Sequence, residues 1–298
     1  MTRIQKFGVF GYPVSHSLSP AMHTAAFSAL SMTDCEYKAY AVSPEELKGA
    51  VLKAQAAGFR GLNLTIPHKE KILTFGIIRP DAFAEKVGAV NTLLFEEEGI
   101  YGYNTDATGA FSAMAKAGAN PAGKNILIIG AGGAARSISF LLGEYAGKLR
   151  IINRTAEKAE KLAAEIAGGT GDGNISGGGF STGWEDLADA DIIIQTTELG
   201  MGKYKDTSFF DQLKRPAGTA KEEMIRTHLK DGAFAFDIVY NPQETKFLAE
   251  AGKAGAKTMN GVMMLICQGA EAFEIWTGKK PDLGVMRKAV LEGLERKE

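Results

Sequence analysis

Lys69 closes a stretch, GLNLTIPHKE (61–70), that begins like a half-buried strand, with Leu62, Leu64 and Ile66 alternating against Asn63 and Thr65. An ammonium delivered at a strand end can hold or protonate an oxygen on which negative charge develops. Three other stretches place polar groups in comparable positions. GYPVSHSLSP (11–20) brings Ser17 and Ser19, GAVNTL (88–93) brings Asn91, and GYNTDATG (102–109) brings Asn104, Thr105 and Asp106. Each reads as lying at or beyond the carboxyl end of a strand, where open α/β sheets place their ligand sites. Singly, each has a plain structural reading: Ser19 as a helix cap, Asn91 as a turn residue, Asp106 as a helix start, Lys69 as a solvated surface lysine. Together they supply hydroxyls, amides, one ammonium and one carboxylate. That combination suits a small polyhydroxylated acid, whose hydroxyls need paired donors and acceptors.

A second chemistry-bearing segment is Gly130-Ala131-Gly132-Gly133-Ala134-Ala135, directly after the apolar run Asn125–Ile129. It fits the dinucleotide pattern G-x-G-x-x-G/A. Gly130 permits a tight turn, Gly132 lets a pyrophosphate approach the backbone, and Ala135 allows close helix packing. The anion would rest on free N–H groups at the helix start. At the tip of the next strand, 153 − 130 = 23 residues on, stand Asn153, Arg154 and Thr155, with no carboxylate. An acidic residue there would hold an unsubstituted ribose, whereas an arginine and two neutral donors suit a 2′-phosphate. This favours NADP. The plainer alternative is that Arg154 solvates a loop while Thr155 caps the next helix.

The elements that must position these residues alternate short apolar strands with longer helical patterns. Strands are expected at Lys6–Gly11, Tyr37–Val42, Gly61–Ile66, Ala89–Phe95 and Ile100–Tyr103, with helices near Ser19–Leu30, Glu45–Ala57 and His68–Thr74. Pro20 and Pro44 fit first-turn positions after Ser19 and Ser43 as caps. A helix at Thr108–Ala117 then leads into strands at Asn125–Ile129, Leu149–Ile152, Asp191–Thr196 and Ala233–Val239. Lys203–Asp231 exceeds a simple crossover and carries a helix near Lys221–Lys230. Gly168–Gly179, GGTGDGNISGGG, reads as a surface loop because no strand precedes it.

The chain has 298 residues, 45% hydrophobic and 23% charged, which suits an α/β protein of two domains. Lys+Arg number 34 against 35 Asp+Glu, so no charge excess points to nucleic acid or an anionic membrane. Cys35 and Cys267 lie far apart without a metal-type spacing, and His16, His68 and His228 offer none, so no metal is expected. The N-terminal apolar stretch is too short and too Gly/Pro-broken for a signal peptide, and no 18-residue apolar run follows. A cytoplasmic protein with small-molecule partners, monomeric or homodimeric, is the expectation.

The ordered motifs SHSLSP, GLNLTIPHK, GAVNTL, GYNTD, GAGGAARS, NRT, DIVYNPQET (237–245) and GVMMLICQGAEAFEIWTG (261–278) span nearly the whole chain. In this it resembles the shikimate dehydrogenases. The resemblance implies NADP-linked reduction of 3-dehydroshikimate to shikimate, in aromatic amino-acid biosynthesis. It also implies a substrate-binding domain over residues 1–106 joined by C-terminal helices from 263–298, a Rossmann-like NADP domain over 107–262, and an active site in the cleft between them. Carried over by position, Lys69 and Asp106 are the catalytic pair. Ser17 and Ser19 bind the substrate carboxylate, while Asn63, Thr65, Asn91 and Gln268 hold ring hydroxyls or carboxylate. Tyr240 lines the site near the carboxylate. Gly130, Ala131, Gly132, Gly133 and Ala134 hold the pyrophosphate, Asn153, Arg154 and Thr155 the adenosine phosphate end, and Ile238 and Gly261 the nicotinamide side.

The proposed pair makes chemical sense by itself. Hydride transfer to a ketone builds alkoxide character, which protonated lysine can stabilise and neutralise, while a carboxylate orients it and binds a neighbouring hydroxyl. Two departures from the family pattern are His23-Thr24, where HN is common, and Gln195-Thr196-Thr197-Glu198-Leu199-Gly200-Met201, where NATxxGM is common. Glu198 is either a loop-surface carboxylate or one that disfavours a nearby phosphate. Alternatives are an NAD-linked quinate/shikimate dehydrogenase, a non-catalytic relative that senses shikimate-like acids, and a Rossmann-type dehydrogenase for another hydroxy acid.

Overall fold

The computed structural model describes residues 4–170 and 174–296. Contacts divide the chain into two compact units, Met1–Gly109 with Leu265–Glu298, and Ala110–Met264. In chain order the elements are β1 (Gln5–Gly11), α1 (Ser19–Ala29), β2 (Cys35–Ala41), α2 (Leu47–Ala56), β3 (Phe59–Leu64), α3 (His68–Lys71), β4 (Arg79–Pro80), α4 (Ala82–Val87), β5 (Thr92–Glu96), β6 (Gly99–Tyr103) and α5 (Asp106–Lys116). There follow β7 (Asn125–Ile129), α6 (Gly133–Leu142), β8 (Lys148–Ile152), α7 (Ala156–Thr170), β9 (Ile175–Gly178), α8 (Gly183–Asp189), β10 (Ile192–Gln195), α9 (Lys221–His228), β11 (Phe234–Asp237), α10 (Lys246–Lys253), β12 (Lys257–Met259), α11 (Val262–Thr277) and α12 (Leu283–Glu295).

In the first unit the strands run β2-β1-β3-β5-β6-β4. β2 and β3 are parallel to β1, β5 is antiparallel to both β3 and β6, and β4 is parallel to β6. Two successive reversals return β6 to the direction of β3. The carboxyl ends of β1, β3 and β6 and the amino end of β5 therefore share one rim, and this sets where the polar motifs meet. Beneath the rim, one cluster joins Phe10, Leu62, Leu64, Leu93 and Ile100 to Leu47 and Val51 of α2 and Ala84 of α4. A second group is aromatic: Phe7, Phe27 and Trp276 lie with ring centroids 5.0 and 5.4 Å from Phe7. Trp276 donates its indole N–H to the Leu93 carbonyl at 2.9 Å. It also fills the space over Gly61, where an added Cβ would lie 2.3 Å from the indole.

The second unit is a parallel sheet in the order β12-β11-β10-β7-β8-β9. Renumbered from β7, this is the doubly wound order in which β7 and β10 flank the switch point, the place where such sheets bind dinucleotides. The long segment between β10 and β11 supplies core: Phe209, Phe210, Leu213 and Ile225 pack with Trp184 and Phe247. Lys221 in α9 anchors it, bonding Asp211 at 2.6 Å and also Glu250.

Several expectations need correction. The strand expected at Gly61–Ile66 is β3, which ends at Leu64; Thr65 lies beyond it, where its N–H goes to the Phe10 carbonyl at 2.9 Å. The strand expected from Ala89 begins at Thr92, so Asn91 precedes β5 and reaches the rim because that strand runs antiparallel. β10 ends at Gln195 and β11 at Asp237, one and two residues before the expected ends. Ser19 is the first residue of α1, and the N-cap is Leu18. Ser43 caps no helix; it bonds the Glu46 carboxylate through backbone N–H and hydroxyl at 3.1 and 2.8 Å, and α2 starts later. The glycine-rich stretch 168–179 is not one loop. Residues 168–170 end α7 and Ile175–Gly178 form β9, while 171–173 lie outside the described residues. Gly177 suits a strand there because α7 packs so close that a Cβ would sit 2.3 Å from the Ala159 carbonyl oxygen.

Candidate active site

At the rim of the first unit, α3 starts directly after the β3 turn and α5 directly after β6. His68 turns inward, donating Nε2–H to the Val42 carbonyl at 2.8 Å, and burial lowers its pKa, so it stays neutral. Its neighbour Lys69 points the other way and meets Asp106 at 2.6 Å, with side-chain exposures of 17% and 7%. Among the described residues the Lys69 ammonium bonds Asp106, which leaves two of its three protons for a ligand. Asp106 opens α5, where its negative charge is favoured by the helix dipole.

Asn91 is the strut of the group. Its Oδ1 accepts the Thr105 backbone N–H at 2.8 Å and the Thr92 hydroxyl at 3.0 Å. This fixes the amide, so Nδ2 donates to the other Asp106 oxygen at 2.9 Å and to the Thr105 hydroxyl at 3.0 Å, with Gln268 Oε1 at 3.5 Å. Each Asp106 oxygen thus has one internal donor and one lone pair to spare. Gln268 is anchored through its Nε2 to the Leu265 carbonyl at 2.8 Å, and Gly109 lies so near that a Cβ there would stand 2.8 Å from the Gln268 backbone nitrogen. Asn63 and Ser19 are both buried. Ser17 Oγ accepts the Ser19 backbone N–H at 3.3 Å. Glu271, one turn after Gln268, bonds the Thr108 hydroxyl, and burial raises its pKa, helped by the charges of Glu274, Asp81 and Asp106.

In the second unit the sequence pattern becomes a nest of backbone. Gly130 has φ +116°, and an added Cβ would lie 2.4 Å from Thr196 Oγ1. Only glycine fits there. Gly132 caps α6 in an extended conformation with open space around it, and the first turn of α6 holds no acidic residue. Free N–H groups facing open space are what a pyrophosphate needs. Arg154 and Thr155 are exposed beyond the tip of β8, and Asn153 Nδ2 bonds the Thr155 carbonyl at 2.9 Å. Ile238 and Gly261 touch: a Cβ on Gly261 would collide with the Ile238 carbonyl oxygen at 1.9 Å. The residues therefore fit a dinucleotide with a charged ribose substituent. Glu198 is exposed on its loop, and burial pushes the Tyr240 hydroxyl pKa up.

Residues 9–93 match the model of the shikimate dehydrogenase substrate binding domain, 113–201 that of shikimate/quinate 5-dehydrogenase, and 261–291 that of the shikimate 5′-dehydrogenase C-terminal domain. The shikimate dehydrogenase (NADP+) of Methanosarcina acetivorans is 50% identical over 290 residues, covering 97% of this chain and 98% of that one. The chain belongs to the shikimate dehydrogenase family. A crystal structure of a shikimate dehydrogenase with NADP+ superposes with a TM-score of 0.86 at 40% identity, covering 98% and 96% of the two chains. That of the Thermus thermophilus shikimate 5-dehydrogenase with NADP(H) and shikimate gives 0.83 at 34% identity, covering 98% and 100%.

Each unit holds more than the motifs announce. Tyr37, in β2, donates its hydroxyl to Asn63 Oδ1 at 2.7 Å. Asp237, fully buried at the end of β11, accepts from the Thr245 hydroxyl at 2.7 Å, the Val239 N–H at 3.0 Å and Gln195 Nε2 at 3.4 Å. Burial raises it to about 6 against these bonds. Gln195 in turn holds the Leu199 carbonyl at 3.0 Å, so the longer amide in place of asparagine ties the two loops after β10 and β11. The motif DIVYNPQET does contain Asp237 and Thr245 eight residues apart, but nothing in that spacing says that they bond. Among the described residues no group of three or more His, Cys, Asp or Glu could hold a metal, and no helix is long and apolar enough to cross a membrane.

Proposed function

We propose that this chain catalyses the reversible NADP-linked reduction of 3-dehydroshikimate to shikimate, with Lys69 and Asp106 as its acid–base pair. The observation that supports this most is the 2.6 Å contact of Lys69 with Asp106, itself oriented by Asn91. Ser17 and Ser19 bind the substrate carboxylate, with Tyr240 assigned to the same group, while Asn63, Thr65 and Gln268 hold ring hydroxyls or carboxylate and Asn91, its amide spent on Asp106 and Thr105, serves the substrate by orienting Asp106. Gly130 to Ala134 hold the pyrophosphate, Asn153, Arg154 and Thr155 the phosphate on the adenosine, and Ile238 and Gly261 the nicotinamide side.

NADPH, when bound, supplies the hydride for the ketone. As the carbonyl oxygen becomes alkoxide-like, the Lys69 ammonium stabilises it and transfers a proton to it. Asp106 aims the ammonium and accepts from an adjacent substrate hydroxyl through a spare lone pair. In the oxidative direction the same Lys69 nitrogen takes the proton from the substrate hydroxyl as hydride leaves. Initial rates with NADP+ and NAD+, each on shikimate and quinate, test the assignment. Shikimate with NADP+ should give the highest kcat/KM. Comparable rates with NAD+ and quinate would move the chain to the NAD-linked alternative, and tight shikimate binding with no turnover on any pair would leave a sensing relative.

A further inference from the structure

Asn63 sits among groups that leave its amide no choice of direction. One end faces the Asn91 carbonyl at 3.3 Å and Thr92 Oγ1 at 3.1 Å. A carbonyl can only accept, and the Thr92 hydroxyl proton is already directed to Asn91 Oδ1 at 3.0 Å. That end of Asn63 is therefore the NH2, with both hydrogens spent inside the protein. The other end, Oδ1, receives the Tyr37 hydroxyl at 2.7 Å and keeps one lone pair.

Tyr37 is itself held firmly. His23 stacks on it with centroids 4.5 Å apart and planes 14° off parallel, and Trp276 leans on both rings at 5.3 and 6.1 Å. His23 is fully buried, its ring nitrogens have no hydrogen-bond partner, and desolvation lowers its pKa to about 3, so it backs Tyr37 as a neutral plate. Burial also raises the Tyr37 pKa, with the Ser19 hydroxyl in hydrogen-bond contact, so the phenol stays protonated and remains a donor.

We propose that Tyr37 is a positioning residue: the Asn91 carbonyl and Thr92 hydroxyl set the direction of the Asn63 amide, and the Tyr37 hydroxyl holds its Oδ1 in place as a pure hydrogen-bond acceptor toward the substrate. Asn63 then selects a ring hydroxyl, which can donate, and contributes nothing to a carboxylate, which cannot. This refines the assignment of Asn63 above and rests on the proposed shikimate chemistry. Without the phenol, Oδ1 loses the donor that holds it in place, and the hydroxyl contact weakens.

The test is a double-mutant cycle of Tyr37→Phe and Asn63→Ala, read as kcat and KM for shikimate with saturating NADP+, with thermal melts alongside. Tyr37→Phe keeps the stacked ring. It should raise the shikimate KM about tenfold, with kcat and the NADP+ KM within about twofold of wild type. In the Asn63→Ala background the same change should alter KM less than about twofold. Losses that multiply, or an unchanged KM in Tyr37→Phe, overturn the inference. Should Asn63→Ala not fold, inhibition by 1-cyclohexene-1-carboxylate, which lacks the hydroxyls, decides on Tyr37→Phe alone. An inhibition constant that stays at the wild-type value while the shikimate KM rises supports the inference, and parallel weakening overturns it. Wild-type turnover of shikimate is measured first: its absence overturns the functional reading and this inference together, whereas an active wild type with multiplying losses overturns this inference alone.

Discussion

At the scale of single residues, the rim of the first unit is a chain of obligations ending at Lys69. The Thr105 N–H fixes Asn91, Asn91 fixes one oxygen of Asp106, and Asp106 fixes the ammonium. Lys69→Ala removes the group assigned both to stabilise and to protonate the alkoxide. Its kcat should fall about 10³-fold, with shikimate affinity changed only a few-fold. Steady-state kinetics with a calorimetric titration of shikimate check this, and near-normal turnover would end the assignment. Asp106→Asn keeps a polar group of the same shape but leaves the ammonium without its charge partner. We expect kcat to drop about 10- to 100-fold and KM to rise as well. A variant with intact kcat would reduce Asp106 to a binding role. Sequence already marked Lys69 and Asp106 as chemistry-bearing types near strand ends. It could not show that Asn91 spends its amide internally, because hydrogen-bond direction depends on which neighbours the sheet order brings.

At the scale of elements, the C-terminal ends of β10 and β11 are tied by a buried acid. Asp237 draws together Gln195, Val239 and Thr245, and Thr245 in turn caps α10 by accepting the Leu248 N–H at 3.3 Å. No cation is among its bonding partners, and burial lifts its pKa from 3.8 to about 6. The folded state therefore binds the proton more tightly than the unfolded state. The stability this contributes is fully present below about pH 4 and is lost as pH rises towards 6, by about 1–3 kcal/mol. Chemical denaturation between pH 4 and 7 should show that component, and Asp237→Asn should remove it; an identical pH profile in the variant would refute the origin in Asp237. The glycine pattern 130–135 was legible as a strand-to-helix turn because its conformational demand is local. The glycines at 177 and 178 were not legible as a strand, since their small size answers to α7 and Arg150, which pack from elsewhere.

At the scale of the whole molecule, the first unit is discontinuous in sequence, built from Met1–Gly109 and Leu265–Glu298, with the residues of the second lying between them along the chain. The later segment supplies Trp276 against Leu93, Glu271 against Thr108 and Gln268 beside Asn91. Loss of a buried tryptophan alone costs about 3–5 kcal/mol, a large share of a domain's stability of about 5–15 kcal/mol. A chain ending at Met264 should therefore lose shikimate binding and become protease-sensitive within residues 1–109, while residues 110–264 stay protected. Equal protection of both units would contradict this. The sequence alone determined the α/β class, the dinucleotide turn, the absence of a carboxylate at the tip Asn153-Arg154-Thr155 and the polar types at strand ends, because each is a local property of backbone conformation or side-chain chemistry. Only the tertiary structure decided that Asn91 reaches the rim from an antiparallel strand, that Lys69 meets Asp106 across 37 positions, and that Tyr37 governs Asn63. Those facts follow from strand order and from which partners exhaust each donor and acceptor, and both arise when distant segments pack.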